Sequence, residues 1–215
     1  MKLKRSDLLL YAVTDRSWLG DESLYAQVEK ALKGGVTMVQ LREKELSDEA
    51  FYTEALEIQR LCRSYGVPFL INDNVELAAR IDADGVHVGQ NDLEAGRVRE
   101  LLGPDKIVGV TAKTVEQALL AQERGADYLG SGAIFGTTTK KDAKPMDMEL
   151  LRQITAAVDI PVVAIGGITA DNIARLSGSG VAGAAVVSGI FAASDIEAEC
   201  RKLSTLLKDQ VVSQA

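Results

Sequence analysis

The chain has 215 residues, 47% of them hydrophobic, with 31 acidic against 24 basic side chains and a net charge of −7. That balance describes one globular domain with a sizeable core, and a surface of that sign makes nucleic acid and anionic membranes poor partners. No apolar run reaches the roughly 18 to 20 residues that cross a bilayer, and the run Leu8 to Val13 behind a basic start is too short for a secretory signal core, so a cytoplasmic location is expected.

A strand-then-helix pattern then repeats about every 25 residues. Leu8 to Thr14 reads as a strand, and Asp21 to Gly34 as a helix with Leu24, Val28, Ala31 and Leu32 on one face. Thr37 to Leu41 is the next strand. Ser47 has the character of an N-cap, with Asp48 and Glu49 favourable in the first turn. That helix should stop near Tyr65, at Gly66-Val67-Pro68. Further strands are predicted at Pro68 to Asn72, Gly85 to Gly89, Ile107 to Thr111, Tyr128 to Ile134, Pro161 to Ile165 and Gly183 to Val187. Helical segments separate them, the last running from Asp195 to Lys208 with Ile196, Cys200, Leu203 and Leu207 on one stripe. Several strands are continuous apolar runs, as parallel strands buried on both faces require. The pattern predicts a single-domain (βα)8 TIM barrel with parallel strands over residues 1–215. An open doubly wound sheet is the alternative, because periodicity does not show closure. Phe135 to Met146 is the one long irregular segment, and loops of that length in compact domains are often functional.

The two cysteines, Cys62 and Cys200, stand far apart in helical segments and in no metal or redox spacing. They read as small buried apolar residues, which suits a reducing compartment.

Barrel chemistry gathers at the C-terminal ends of the strands. Here those ends are polar, small or charged, while the strand bodies are apolar. They carry Gln40-Leu41-Arg42-Glu43-Lys44, Asn72-Asp73, Gly89 to Asp92, Thr111 to Thr114, Thr137 to Lys141, Gly166-Gly167 and Ser188-Gly189. Gly166-Gly167 after strand seven and Ser188-Gly189 after strand eight together predict a phosphate site, since glycine lets backbone N–H groups approach an anion. Asp73 and Asp92 end neighbouring strands. Two carboxylates with few other ligands suit Mg²⁺, which keeps waters and fills its shell from a polyphosphate; the competing reading is that each caps the following helix. Arg42, Lys44 and Lys140 could neutralise a polyphosphate. Strand alternation puts Arg42 and Lys44 on one side and Glu43 and Glu45 on the other. His87, the only histidine, sits mid-strand, which favours a hydrogen-bonded interior ring over proton transfer. Trp18 either flanks the pocket or anchors its loop.

These segments, in this order, resemble the thiamine phosphate synthase family, from Tyr11-Ala12-Val13-Thr14-Asp15 to Val187-Ser188. The motifs that carry the resemblance are Gln-Leu-Arg-Glu-Lys at 40–44, Asn72-Asp73, the His-Val-Gly-Gln-x-Asp run ending at Asp92, Thr-x-Thr-Lys-Lys at 137–141, Ile165-Gly166-Gly167-Ile168 and Val187-Ser188. The resemblance implies that Gln40, Leu41, Arg42, Glu43, Lys44, Asn72, Thr111 and Lys140 hold a hydroxymethylpyrimidine diphosphate. It implies that Asp73 and Asp92 hold Mg²⁺, and that Thr137, Thr138, Thr139, Gly167, Val187 and Ser188 hold a thiazole phosphate. Arg42, Lys44 and Lys140 would then act catalytically on the leaving diphosphate, the partners being two phosphorylated small molecules. A homo-oligomer stays open. Two departures stand out: Thr111 where the family usually has Ser, and Gly136 where it usually has Pro. The rival readings are a thiazole tautomerase-like isomerase, which needs neither the diphosphate cluster nor a metal, and a non-catalytic phosphometabolite-binding protein.

Overall fold

The computed structural model describes residues 2–90, 92–136 and 145–212. Eight strands close into a barrel in sequence order: β1 Leu10–Val13, β2 Met38–Leu41, β3 Phe69–Asn72, β4 Gly85–Val88, β5 Ile107–Thr111, β6 Tyr128–Gly132, β7 Val162–Ile165 and β8 Gly183–Val186. Every pairing is parallel. Closure rests on β8 lying against β1, with Ala185 beside Tyr11, which excludes the open sheet. Leu8 leaves the predicted first strand for a 3-10 helix, Arg5–Leu8, whose buried Leu8 joins the barrel interior.

The helices are α1 Leu24–Lys33, α2 Asp48–Ser64, α3 Val75–Arg80, α4 Ala95–Leu102, α5 Val115–Glu123, α6 Met148–Ala157, α7 Ser188–Phe191 and α8 Ile196–Leu206. Ser47 caps α2 as its sequence context predicts, its Oγ accepting from Ala50 N–H at 3.4 Å. Ser23 caps α1 in the same way, so that helix starts three residues after Asp21. The link from β7 to β8 holds only a 3-10 helix, Ile173–Leu176, and the short α7 follows β8 directly. After α8 the chain continues as a π-helix, Leu207–Val212. No described helix is long and apolar enough to cross a membrane.

Strand alternation sorts the apolar residues into two separate layers. Leu10, Ala12, Val39, Leu41, Ile71, Val86, Val108, Leu129 and Ala164 point outward and pack beneath the helices. Tyr11, Val13, Met38, Leu70, Ile107, Tyr128, Val163 and Ala185 point inward and fill the barrel. The inner layer makes a floor, and the residues one inward step beyond it open at the C-terminal rim. Cys62 and Cys200 are fully buried in the outer layer, and burial pushes each thiol up to about 12.

Candidate active site

A cavity of about 260 Å³ opens at the C-terminal rim of the barrel. Its wall has two halves. Strands β2 to β5 and the turns after them contribute Gln40, Arg42, Lys44, Asn72, Asp73, His87, Asp92, Thr111 and Lys113; strands β6 to β8 contribute Gly130, Gly132, Ala133, Val163, Ile165, Gly166, Gly167, Ala185, Val187 and Ser188. The first half is polar and charged and the second small or apolar. Such a division suits a ligand, or two ligands, with a highly charged end and a flat apolar body.

The charged half is built by alternation. Gln40 points inward from β2, and Arg42 and Lys44, just beyond the strand end, line the same cavity. Arg42 is fixed twice: its N–H donates to Thr14 Oγ1 at 3.0 Å, and its Nη1 meets Asp15 Oδ2 at 2.9 Å. Asp15 is 8% exposed, so this pair is held in a poorly solvated place where a guanidinium keeps its geometry. Lys44 Nζ lies 2.8 Å from Asp73 Oδ2. Leu41 and Glu43, grouped with this run as candidate ligand contacts, have their side chains on the other side. Leu41 is buried beneath the helices. Glu43 pairs with Arg16 and accepts from the N–H groups of Lys44 and Glu45, at 2.6 and 2.7 Å. Burial works to raise the Glu43 pKa, but the Arg16 and backbone hydrogen bonds hold its carboxyl below the usual range. Its role here is to fix the turn that delivers Lys44.

Neither aspartate of the candidate metal pair is a helix cap. Asn74 Oδ1 caps α3, accepting from Leu77 N–H at 2.9 Å. The α4 N-cap position is Glu94, with no side-chain cap bond. Asp92 Oδ2 instead accepts from Gly89 N–H at 2.7 Å. Asp73 adopts φ 62, a left-handed conformation in which Asp is among the few tolerated residues, and its Oδ2 also accepts from Asn72 Nδ2 at 2.5 Å. The two carboxyls face each other and shift apart. Burial raises both, but Lys44, Asp92 and Asn72 hold Asp73 below its ordinary value, while burial and the Asp73 contact push Asp92 above it. Two converging carboxyls that repel when both are ionised, offering hard oxygen donors, fit a Mg²⁺ ion that draws further ligands from water and substrate. Among the described residues there is no group of three or more His, Cys, Asp or Glu suited to a metal.

On the apolar half, Gly166 and Gly167 have φ 103 and φ 65. A Cβ on Gly166 would stand 2.5 Å from Ala133, and one on Gly167 2.4 Å from the Gly136 carbonyl. Only glycine fits this turn. Asn172 closes it, donating to the Gly167 carbonyl at 2.8 Å and accepting from Thr169 N–H at 2.9 Å. Gly167 and Ser188 thus face one pocket end at the strand-seven and strand-eight position where barrels bind phosphate.

Ten of the sequence-nominated residues meet in this cavity: Gln40, Arg42, Lys44, Asn72, Asp73, Asp92, Thr111, Gly167, Val187 and Ser188. Lys140 and Thr137, Thr138 and Thr139 lie outside the described residues. The structure adds Asp15, through its pair with Arg42, and Lys113, which lines the cavity two residues after Thr111. His87 is an interior histidine, as expected, yet its ring faces the cavity and bonds Thr111 Oγ1 at 3.0 Å. Trp18 packs against the outer layer and is not part of the cavity wall. Gly136 has φ 77, which proline could not adopt.

The sequence model of the family described as thiamine monophosphate synthase matches residues 10–190. The thiamine-phosphate synthase of Clostridium acetobutylicum is 47% identical over 206 residues, covering 96% of this chain and 98% of that protein. The corresponding protein of Ruminiclostridium cellulolyticum is 48% identical over 197 residues, 92% of this chain and 94% of its own length. Among solved structures, the thiamine phosphate pyrophosphorylase from Pyrococcus furiosus superposes with a TM-score of 0.88 at 36% identity, covering 95% of this chain and 98% of that one.

Proposed function

The chain belongs to the thiamine monophosphate synthase family, and from that premise we propose that it joins 4-amino-2-methyl-5-hydroxymethylpyrimidine diphosphate to 4-methyl-5-(2-hydroxyethyl)thiazole phosphate. The products are thiamine phosphate and pyrophosphate. The observation that carries this reading is the division of one cavity: Asp73, Asp92, Arg42 and Lys44 at one end, and the glycine turn with Ser188 at the other. A tautomerase would have no use for the charged end.

The chemistry breaks a carbon–oxygen bond to pyrophosphate and forms a carbon–nitrogen bond to the thiazole. The electron-rich aminopyrimidine stabilises the carbocation left behind, so the protein must chiefly stabilise the departing diphosphate. Arg42, oriented by Asp15, and Lys44 supply charge-assisted hydrogen bonds there, with Lys140 assigned to the same anion. Asp73 and Asp92 would hold Mg²⁺, whose bound form neutralises diphosphate oxygens as a Lewis acid. Gln40, Asn72 and Thr111 orient the pyrimidine diphosphate. Gly167, Val187, Ser188 and the Thr137 to Thr139 segment seat the thiazole phosphate, so that its ring nitrogen meets the cationic carbon. No strong general base is needed, which agrees with a pocket wall whose one imidazole is committed to hydrogen bonds with Tyr128 and Thr111.

Mixing both substrates with the protein, with and without Mg²⁺, tests the reading. Metal-dependent thiamine phosphate is the expected product. Metal-independent isomerisation of the thiazole alone would assign the tautomerase reaction instead, and no reaction at all would leave a binding protein.

A further inference from the structure

Five polar side chains form one unbroken hydrogen-bonded row through the barrel floor. Gln40 Nε2 donates to Tyr11 Oη at 2.5 Å, Tyr11 Oη lies 2.8 Å from Tyr128 Oη, Tyr128 Oη lies 2.9 Å from His87 Nδ1, and His87 Nε2 lies 3.0 Å from Thr111 Oγ1. The row links β2, β1, β6, β4 and β5. Tyr11 and Tyr128 are 1% and 0% exposed, so the hydroxyls have each other rather than water. Gln40, Tyr11, His87 and Thr111 line the cavity; Tyr128, the middle link, does not.

The backbone is cleared to admit this row. A Cβ on Gly109 would fall 2.2 Å from Tyr128 Cζ, and one on Gly130 would fall 3.1 Å from His87 Cε1. Both glycines have ordinary backbone angles, so the requirement is room for the phenol and the imidazole rather than conformational freedom.

The row has a direction. A carboxamide nitrogen only donates, so Tyr11 Oη accepts from Gln40. The order that gives both buried phenol protons an acceptor within the row has Tyr11 donating to Tyr128 and Tyr128 donating to His87 Nδ1. A neutral imidazole whose Nδ1 accepts carries its proton on Nε2, which then donates to Thr111 Oγ1. The Thr111 proton is left to point away from His87, toward the cavity.

We propose that Tyr128 is a positioning residue for the pyrimidine diphosphate: it fixes the His87 tautomer, and through it makes the Thr111 hydroxyl a hydrogen-bond donor to the ligand while Tyr11 holds the Gln40 carboxamide with its nitrogen turned away from that ligand. This rests on the assignment of Gln40 and Thr111 to that substrate. An isolated threonine hydroxyl rotates freely between donor and acceptor; one that accepts from His87 Nε2 keeps its proton for a partner in the cavity. Pre-organisation of this kind lowers the cost of binding one substrate and leaves the other, held across the cavity, unaffected.

The chain has a single histidine, so ¹⁵N-histidine labelling reports this one ring in the ligand-free protein. The expected spectrum is the Nε2-protonated tautomer in the wild type and averaged tautomers in Tyr128→Phe, which keeps the ring and removes only Oη. With both substrates present, Tyr128→Phe should raise KM for the pyrimidine diphosphate about tenfold, the equivalent of one hydrogen bond, and leave KM for the thiazole phosphate within about twofold. An Nδ1-protonated wild-type ring overturns the proposal, as does a Tyr128→Phe protein with unchanged tautomer and unchanged pyrimidine KM. Should Tyr128→Phe not fold, the wild-type tautomer still decides the direction. Tyr11→Phe, which removes the link that orients Tyr128, should then also average the tautomers and raise the pyrimidine KM; an unchanged tautomer with an unchanged KM counts against the proposal. A wild type that makes no thiamine phosphate refutes the assigned reaction without touching the tautomer, whereas an active wild type with an indifferent Tyr128→Phe refutes this inference alone.

Discussion

Asp73→Asn is the most informative single change, because the structure separates its chemical cost from its structural one. Asn tolerates the φ 62 of this position nearly as well as Asp does, whereas Ala would add backbone strain. The new amide keeps an oxygen that can accept from Lys44 and Asn72. The lost ion pair with Lys44 involves a side chain 52% exposed, so solvent screening limits its worth to about 0–1 kcal/mol. For a chain of this size that lowers Tm by no more than about 2–4 °C. The chemical cost is much larger: one of two carboxylates that would hold the metal loses its charge, and the group that neutralises the leaving diphosphate is weakened. Removal of one such stabilising group typically lowers turnover by about 10²- to 10³-fold. The assay is pyrophosphate release at a series of Mg²⁺ concentrations, with thermal unfolding followed in parallel. The expected pattern is a near-native Tm, a fall of that size in kcat/KM, and partial recovery at high Mg²⁺. A variant within about threefold of wild type throughout the Mg²⁺ series would refute the assignment of Asp73 to the metal.

Asp15→Asn removes the charge that orients Arg42 and should raise KM for the pyrimidine diphosphate about tenfold, the worth of one charge-assisted bond; steady-state kinetics with the thiazole phosphate saturating would show it, and an unchanged KM counts against the orienting role. Gly109→Ala places a methyl 2.2 Å from Tyr128 Cζ, an overpacking expected to cost about 1–3 kcal/mol or more, so a Tm equal to wild type would contradict the fit of the row to the barrel. Cys62 and Cys200 should resist alkylation in the folded chain at pH 8 and react on denaturation, as buried thiols raised to about 12. The same shift has a sign: the unfolded chain ionises its thiols from an ordinary value of 9.0 while the fold keeps them neutral, so stability is intact below pH 9 and falls between 9 and about 12. At pH 10 each thiol should cost about 1.4 kcal/mol, read as a shift in urea midpoint that Cys62→Ala and Cys200→Ala reduce; a midpoint independent of pH up to 10 would be inconsistent with this.

Much of the site is legible before folding because strand alternation is a local rule. It separates Arg42 and Lys44 from Glu43 correctly, and the same rule, applied to Leu41 and Glu43, removes both from the cavity wall: as a contiguous motif 40–44 reads as one binding segment, but in three dimensions only its alternate members face inward. Asp73 and Asp92 are ambiguous in sequence for a different reason. A cap is decided by the position of the helix start to within one residue, and here Asn74 and Glu94 occupy those places, freeing both aspartates. The connection after β7 is misjudged as helical because a four-residue 3-10 turn carries no periodicity to read. Tyr128 and Gly109 are invisible as site residues, since their partnership depends on the β5–β6 register, which sets Gly109 beside Tyr128, and no local pattern encodes that.

The acidic composition and the anionic substrates are reconciled by where the few useful cations are held. Several basic side chains on the surface are spent on neighbouring carboxylates, as in Arg97 with Glu100 and Arg201 with Glu197. At the rim the same pairing has another effect. Arg42 on Asp15 and Lys44 on Asp73 are oriented before any ligand arrives, so binding need not order two long side chains that otherwise lose about 2 kcal/mol of rotamer freedom each. The two carboxylates differ in what they can then do. Asp15 is buried beneath Arg42 and has no reason to move, whereas Asp73 stands beside Asp92 and would exchange its hold on Lys44 for a cation that binds the same diphosphate. On that reading the charged end of the cavity would be complete only with both substrate and metal present, and turnover should depend on Mg²⁺ more steeply than the affinity of the ligand-free protein for Mg²⁺ alone would suggest.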